Sequence, residues 1–403
     1  MRYLIVTIRP FALSPSGYPC VEEGWALDLE NQLRVFPSIY VMAPRIPYDH
    51  NMDYHEVRLD GISFFPFPGR ERSMWIVLDI LATFHALRRE VKRGDIVHCV
   101  CGIGSRFPPY GVFALFYCGH LGNHKRTVLV LDGDEVADLD FMIGRERSSK
   151  KRITLRVKKL ITKSMLNTCV SKSPLTLVVG DALYKRYHNR GCVKEFHASW
   201  VKESEIISDV DVANKIRQSD NDKGLRIIFA GRLMEKKGPQ VAVEVARLLD
   251  QMGVPFELDI YGQGPLLTEL NSSINRWRLL DRVKLKGVLG YNDFCKALRR
   301  YDAILIPSLS GEQPRIIFDA MANGVCVVAS NLPAFVDIIE DKRNGLLCDP
   351  QFPISFAQAL EELHLNRNML RELILNGILT VKSSTIESMH QIRKSIIEAE
   401  LSE

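Results

Sequence analysis

The chain has no Cys-x-x-Cys pair. Its nine cysteines are scattered through 403 residues, and the nearest two are Cys99 and Cys101. Structural zinc sites and thiol oxidoreductases favour a two-residue spacer, so the pattern argues against both and fits a reducing, cytosolic compartment. Long apolar runs are also missing. The longest, Gly111 to Leu121, falls short of the ~20 residues a membrane-spanning helix needs, and it carries His120. Met1 and Arg2 lead straight into an apolar run, so no cleaved leader is expected. There are no low-complexity tracts or short repeats, and the net charge is only +5. These absences argue against fibrous, disulfide-stapled and membrane-spanning classes. With 46% hydrophobic and 25% charged residues, the composition is that of a globular protein. Its length suggests about two to three domains. Cys169, Cys326 and Cys348 lie in apolar contexts and read as core residues.

What is present is alternation. Short apolar runs at 3–8, 39–42, 62–65, 96–100, 128–131 and 177–179 read as strands, with helical patterns such as 75–91 between several of them. After a polar stretch, 203–224, strand-like runs return at 225–229, 258–261, 283–285, 303–306, 325–329 and 346–348. This is the pattern of α/β domains with parallel sheets covered by helices. The expected organisation is a first Rossmann-like domain over 1–203 and a second over 204–385. A last helix, 386–403, carries Met389, Ile392 and Ile396 on one face and is expected to cross back to the first domain.

The segment from Gly311 to Gly324, Gly-Glu-Gln-Pro-Arg-Ile-Ile-Phe-Asp-Ala-Met-Ala-Asn-Gly, says most about chemistry. It follows a strand and a Pro307-Ser308 turn. Pro314 suits the first turn of a helix, where its missing N–H costs nothing. Ile316, Ile317, Ala320 and Met321 repeat at helical spacing, and Gly324 supplies a stop. A helix start next to Gln313, Pro314 and Arg315 offers unpaired N–H groups to an anion. Glu312 and Asp319 add carboxylates that suit hydroxyl groups. Upstream, the strand 225–229 ends in Ala230-Gly231-Arg232-Leu233-Met234-Glu235-Lys236-Lys237-Gly238, and Pro239 opens a helix. Arg232 can bind two phosphate oxygens at once and Lys237 offers a mobile point charge, with Lys236 as its neighbouring alternative. Tyr261-Gly262-Gln263-Gly264-Pro265 forms a glycine turn after another strand, suited either to close approach of a ligand or to a plain turn.

These blocks resemble the retaining glycosyltransferases of family 4, over roughly 225 to 350. That family's pattern is Glu-Gly-x-Pro, four residues, Glu-Ala-Met-Ala-x-Gly. Here the second acid is Asp319 rather than Glu, and the first is displaced by one place to Glu312. The resemblance implies the GT-B architecture, two Rossmann-like domains facing across a cleft, and transfer of a sugar from a nucleotide-diphosphate donor. It implies catalytic roles for Arg232, Lys237 and Glu312, and donor contacts from Gly231, Gly262, Gly264, Gln313, Pro314, Arg315 and Asp319. It also implies front-face attack in which the leaving phosphate helps take the acceptor proton. No cofactor and no metal are expected, the nucleotide-sugar being a substrate.

On the acceptor side the candidates are Ser16 and Gly17 in a turn after the first strand, His98 on a strand, and Asp134 in Asp132-Gly133-Asp134-Glu135. Ser16 and Gly17 also read as a simple turn, and His98 as a core or rim residue. Between Arg145 and Lys163 stand nine basic residues and one acid. Ile153, Val157, Leu160, Ile161 and Met165 recur at helical spacing among them, which makes an amphipathic basic helix. One reading packs this helix on its own domain with a solvated basic face. The other sets 145–165 on an anionic membrane surface or a lipid diphosphate acceptor. Nucleic acid is not expected, since no aromatic-rich binding motif accompanies the charge.

Three function classes follow. The first is a glycosyltransferase, hexosyl or N-acetylhexosaminyl, acting on a glycan or lipid-linked acceptor in surface-polysaccharide assembly, cytoplasmic or peripheral on the inner membrane face. The second is a nucleotide-sugar epimerase on the same fold. The third is a non-catalytic nucleotide-sugar-binding scaffold, which the displaced Glu312 keeps open.

Overall fold

The computed structural model describes residues 2–49, 54–67, 85–100, 126–221, 224–309 and 315–401. The chain forms two compact units. One comprises the residues up to Ala198 together with those from Glu387 onward, and the other is Ser199–Ile386.

In the first unit the described strands are β1 (Tyr3–Val6), β2 (Ala12–Leu13), β3 (Pro19–Glu22), β4 (Ile39–Ala43), β5 (Tyr54–Glu56), β6 (Ile62–Pro66), β7 (Ile96–Val100), β8 (Thr127–Leu131), β9 (Leu175–Val179) and β10 (Val193–Phe196). Seven of them form one parallel sheet in the order β10-β9-β8-β7-β1-β4-β6. β8 and β9 are buried at every position, as a sheet covered on both faces requires. Their Val- and Leu-rich runs are therefore continuous rather than alternating. β2, β3 and β5 make a small antiparallel sheet.

The second unit holds β11 (Leu225–Ala230), β12 (Phe256–Tyr261), β13 (Val283–Gly287), β14 (Ala303–Ile306), β15 (Cys326–Ser330) and β16 (Leu346–Cys348). All pair in parallel in the order β13-β12-β11-β14-β15-β16. The first strand in sequence lies inside the sheet, and the chain reverses its direction of winding between β11 and β14. Ligands of open α/β sheets bind outside the carboxyl ends of the strands at such a switch point.

The helix Pro239–Gln251 shows why the elements form. Pro239 sits at its first position, and Val241, Ala242, Val245, Ala246 and Leu249 recur on one face and are buried. Each Val or Leu so buried contributes about 1.5–3 kcal/mol. The polar stretch 203–224 is folded over much of its length. Asp209–Asn221 is a helix, and its Val212 and Lys215 are buried. Burial of Val212, packing of Ile216 on the core and the hydrogen bond from Lys215 Nζ to the Asn323 carbonyl outweigh the weak propensity of its Asp and Asn residues. Cys169, Cys326 and Cys348 are buried, as expected of core thiols.

Candidate functional site

A pocket of about 270 Å³ opens in the second unit at the β11–β14 switch point. Phe229, Ala230 and Gly231 line it from the end of β11, and Leu305, Ile306 and Ser308 from the end of β14. Trp200, Tyr291 and Phe294 form an aromatic wall, and Lys237, Arg315 and Asp319 supply the charges.

Backbone geometry brings the two loops together. After β11 the chain makes a short 3₁₀ turn, Glu235–Lys237, and Gly238 then adopts φ 75° to open the helix Pro239–Gln251. A Cβ at Gly238 would stand 1.9 Å from the Pro307 carbonyl oxygen, so the loops touch where only glycine fits. Leu309 N–H donates to the Lys236 carbonyl at 2.9 Å, tying the loop after β14 to the turn. Ser330 Oγ donates to the Ser308 carbonyl at 2.7 Å and fixes it from β15. Lys237 is thereby held at the pocket rim. Arg232 is exposed and Lys236 half-buried, and neither lines the pocket.

Gly262 and Gly264 serve that same loop. A Cβ at Gly262 would lie 1.9 Å from the Gly231 carbonyl oxygen, and one at Gly264 would lie 2.5 Å from that of Leu233. Leu233 N–H donates to the Gln263 carbonyl at 2.9 Å. The close approach these glycines allow is of one loop to another, supporting Gly231 from behind.

Asp319 lies on the helix Ile316–Ala322 and is buried. Tyr291 Oη donates to its Oδ1 at 2.8 Å. Burial lifts the Asp319 carboxyl to about 6, while the Tyr291 hydroxyl and the Arg315 charge act in the opposite direction. The Arg315 guanidinium lies 3.3 Å above the Trp200 ring, and Trp200 meets Tyr291 edge-on at 6.1 Å. Arg315, Trp200, Tyr291 and Asp319 thus form one contiguous frame.

The far end of the Asp319 helix is held as firmly. Asn323 caps it, with Nδ2 donating to the Asp319 carbonyl at 2.9 Å and Oδ1 accepting from Arg299 Nε at 3.1 Å. Lys215 Nζ donates to the Asn323 carbonyl at 3.1 Å, which places a cation at the negative end of the helix. Burial pushes the Lys215 amine down to about 7, with nearby Asp302 opposing the shift. Gly324 follows with φ 64° and ends the helix where the sequence places its stop.

Gly231, Lys237, Arg315 and Asp319, named from the sequence blocks and their family resemblance, line one pocket. Glu312, Gln313 and Pro314 lie outside the described residues. Trp200, Tyr291, Phe294, Asn323 and Lys215 are added by the structure. Asn323 stands in the 311–324 segment without a role assigned to it there; the signal of the other four is tertiary, since no motif marks them.

The acceptor-side candidates sit in the first unit. Ser16 and Gly17 belong to the turn of the β2–β3 hairpin, where Gly17 has φ 84° and Ser16 Oγ donates to Glu56 at 2.8 Å. Asp134 is the N-cap of the helix Glu135–Arg145. It accepts from Ala137 N–H at 2.9 Å and from Arg186 Nη2 at 2.6 Å. His98 is a core group on β7. Its Nδ1 lies 3.0 Å from Tyr3 Oη and 3.3 Å from Arg393 Nη2. Burial holds its imidazole well below the ordinary range, and the Arg393 charge adds to this, so the ring is neutral.

The helix Ser149–Lys172 carries the basic segment. Leu166, Cys169 and Val170 anchor its second half in the core. In its first half Ile153 is 61% exposed, Val157 50% and Leu160 69%, among Lys150, Lys151, Arg152 and Arg156.

Residues 211–380 match the family model described as glycosyl transferases group 1. Among curated relatives, the amylovoran biosynthesis glycosyltransferase AmsK of Erwinia amylovora is 32% identical over 173 residues, 41% of this chain and 42% of that protein. The putative colanic acid biosynthesis glycosyltransferase WcaL of Escherichia coli (strain K12) is 32% identical over 142 residues, 34% of this chain and 35% of that protein. The chain thus spans less than half the length of these curated relatives. Solved structures are alike over the whole chain. Anabaena Alr3699/HepE in complex with UDP matches with a TM-score of 0.67 at 15% identity, covering 99% of this chain and 100% of that one. Sucrose-phosphate synthase from Thermosynechococcus elongatus matches with a TM-score of 0.71 at 12% identity, covering 100% and 99%. The fold is that of the GT-B glycosyltransferases.

Proposed function

We propose, from the membership of residues 211–380 in the glycosyl transferases group 1, that this protein transfers a sugar from a nucleotide-diphosphate donor to a glycan or lipid-linked acceptor, with retention of anomeric configuration. The observation that carries the reading is the convergence of Lys237, Arg315 and Asp319 on one pocket at the sheet's switch point. Two cations suit a diphosphate, and a recessed carboxylate suits hydroxyl groups. Relatives named for amylovoran and colanic acid biosynthesis favour a surface polysaccharide as the product.

In this reading Lys237 and Arg315, with Arg232 from the loop edge, stabilise charge that builds on the leaving diphosphate. Glu312 contacts the transferred sugar and Asp319 accepts from the nucleoside. The bond from the anomeric carbon to the diphosphate oxygen breaks while the acceptor oxygen attacks from the same face. The acceptor proton passes to the departing phosphate. The protein's work is positioning and electrostatics, and no resident metal takes part.

The test incubates the purified protein with single nucleotide-sugars and a polyprenyl-diphosphate glycan, in EDTA, and follows nucleoside diphosphate release and product anomer. One donor is expected to be consumed with its anomeric configuration kept in the product. An inverted product would refute retention. Formation of an epimeric donor without transfer would move the assignment to an epimerase. Binding of a donor that is never consumed would leave a scaffold.

The acceptor's chemistry is read from the helix Ser149–Lys172. Its first turn has no acid and carries Lys150 and Lys151, so cations crowd the positive end of the helix dipole. With Ile153, Val157 and Leu160 exposed beside them, the segment fits an anionic lipid surface, where each basic residue near the headgroups is worth about 1 kcal/mol. Sedimentation with phosphatidylglycerol vesicles is expected to pull down the protein at low salt and to fail in ~1 M salt, where screening reaches about 3 Å. Equal sedimentation with neutral vesicles would overturn this part of the reading.

A further inference from the structure

Asp319 is recessed in the pocket wall, and one of its two oxygens is already engaged. Tyr291 Oη, from the start of the helix Tyr291–Leu298, donates to Oδ1 at 2.8 Å. Among the described residues no hydrogen bond to Oδ2 is seen. Tyr291 is itself held by its neighbours: its ring meets Trp200 edge-on at 6.1 Å. The phenol is therefore fixed before any ligand arrives.

We infer that Tyr291 is a positioning residue of the donor pocket: its phenol pins Asp319 Oδ1, so that Oδ2 faces the pocket as the acceptor for a hydroxyl group of a nucleotide-sugar. The inference rests on the nucleotide-sugar reading above and adds a residue that no motif in the chain marks.

The chemistry behind it is the cost of a buried carboxylate. An ionised acid in an apolar wall needs donors, or it takes up a proton and becomes a donor itself. Three charged or titratable groups bear on Asp319. Tyr291 from its own helix and Arg315 from the turn before the Asp319 helix favour the ionised form, and Glu205 from the segment Glu203–Glu205 disfavours it. Lys237, from the loop after β11, lines the same pocket. Of these, Tyr291 is the one with a direct hydrogen bond to the carboxylate. Removing its hydroxyl frees Oδ1 to rotate and raises the tendency of the carboxyl to protonate. A proton on Asp319 Oδ2 removes the charged acceptor that the ligand hydroxyl would meet.

The experiment measures binding of UDP-glucose, GDP-mannose and ADP-glucose to wild type, Tyr291→Phe, Asp319→Asn and the double variant by calorimetry between pH 5.5 and 8.5. These probes carry no phosphate that titrates in that range, so a pH effect reports on the protein. Whichever probe binds wild type is expected to bind more weakly as pH falls through about 6. Tyr291→Phe should weaken it about five- to tenfold at pH 7 and move the fall to higher pH. Asp319→Asn should remove the fall. The double variant should bind no worse than Asp319→Asn, because Tyr291 acts through that carboxylate. A Tyr291→Phe protein with lower thermal stability but unchanged affinity and pH profile would show a merely structural phenol and overturn the inference. So would additive losses in the double variant. If Tyr291→Phe does not fold, the wild-type and Asp319→Asn pH profiles decide, and a flat wild-type profile overturns the inference. Absence of binding by wild type to all three probes would overturn the nucleotide-sugar reading, and this inference with it.

Discussion

Replacing Lys237 by alanine is expected to lower sugar transfer about a hundredfold, the scale on which a preorganised donor to transition-state charge acts. Its backbone is fixed before the ligand arrives. Lys237 N–H donates to the Met234 carbonyl at 2.9 Å, and the next residue, Gly238, is locked against the Pro307 carbonyl. Its side chain lines a pocket walled by Trp200, Phe294 and Phe229, where a charge is screened less than at an open surface. Charge on the leaving diphosphate grows as the bond to the sugar breaks, so the loss should fall on kcat more than on KM. Arg232→Ala is the comparator. Arg232 is exposed and outside the pocket lining, so its loss should cost about tenfold, or about 1.4 kcal/mol. Steady-state kinetics on the two folded variants check the order. An Arg232→Ala loss larger than that of Lys237→Ala would mean that the diphosphate lies toward the loop edge and not in the described pocket.

The parallel sheets were legible because their strands are short, apolar and bounded by polar or turn residues. Each run read as a strand between 225 and 348 corresponds to one of β11 to β16; 303–306 and 346–348 keep their bounds and the others differ by a residue or two at their ends. β10 escaped because Val193–Phe196 has apolar residues only at its two ends, with Lys194 and Glu195 exposed between them. The small sheet escaped because β2 has two residues and β5 three, too few for any period to show. The helix Asp209–Asn221 was hidden by its polar composition, since Val212 and Lys215 gain their burial only from partners distant in sequence.

The site divides along the same line. Gly231, Lys237, Arg315 and Asp319 stand in local strand–loop–helix units, so contiguous sequence blocks and their resemblance mark them. Trp200 and Tyr291 are 91 positions apart and meet only once the second unit has folded. His98, for which the sequence left both an acceptor-side role and a core position open, is buried on β7, a distinction that needs the neighbouring strands rather than the local pattern.

Gly238→Ala should be severely damaging, costing roughly 3–5 kcal/mol of stability and abolishing transfer. Two separate penalties combine. The first is conformational. Gly238 has φ 75°, a region in which a residue with a Cβ is disfavoured by about 1–2 kcal/mol. The second is overlap. The added Cβ would meet the Pro307 carbonyl oxygen at 1.9 Å and its carbon at 2.7 Å, and both are backbone atoms that no rotamer change can move. Relief requires the loop after β14 to part from the turn Glu235–Lys237, which breaks the Leu309 N–H to Lys236 carbonyl bond and carries Lys237 away from the pocket. Gly253 supplies an internal control. Its φ is 73°, but a Cβ there meets nothing within 4 Å, so Gly253→Ala carries the conformational penalty alone. Urea denaturation of the two variants separates the terms. Gly253→Ala should lose about 1–2 kcal/mol and keep its turnover, and Gly238→Ala should lose at least twice as much. Equal losses would mean that the two loops are not in contact as described, and the joint support of Lys237 by β11 and β14 would fall with that contact.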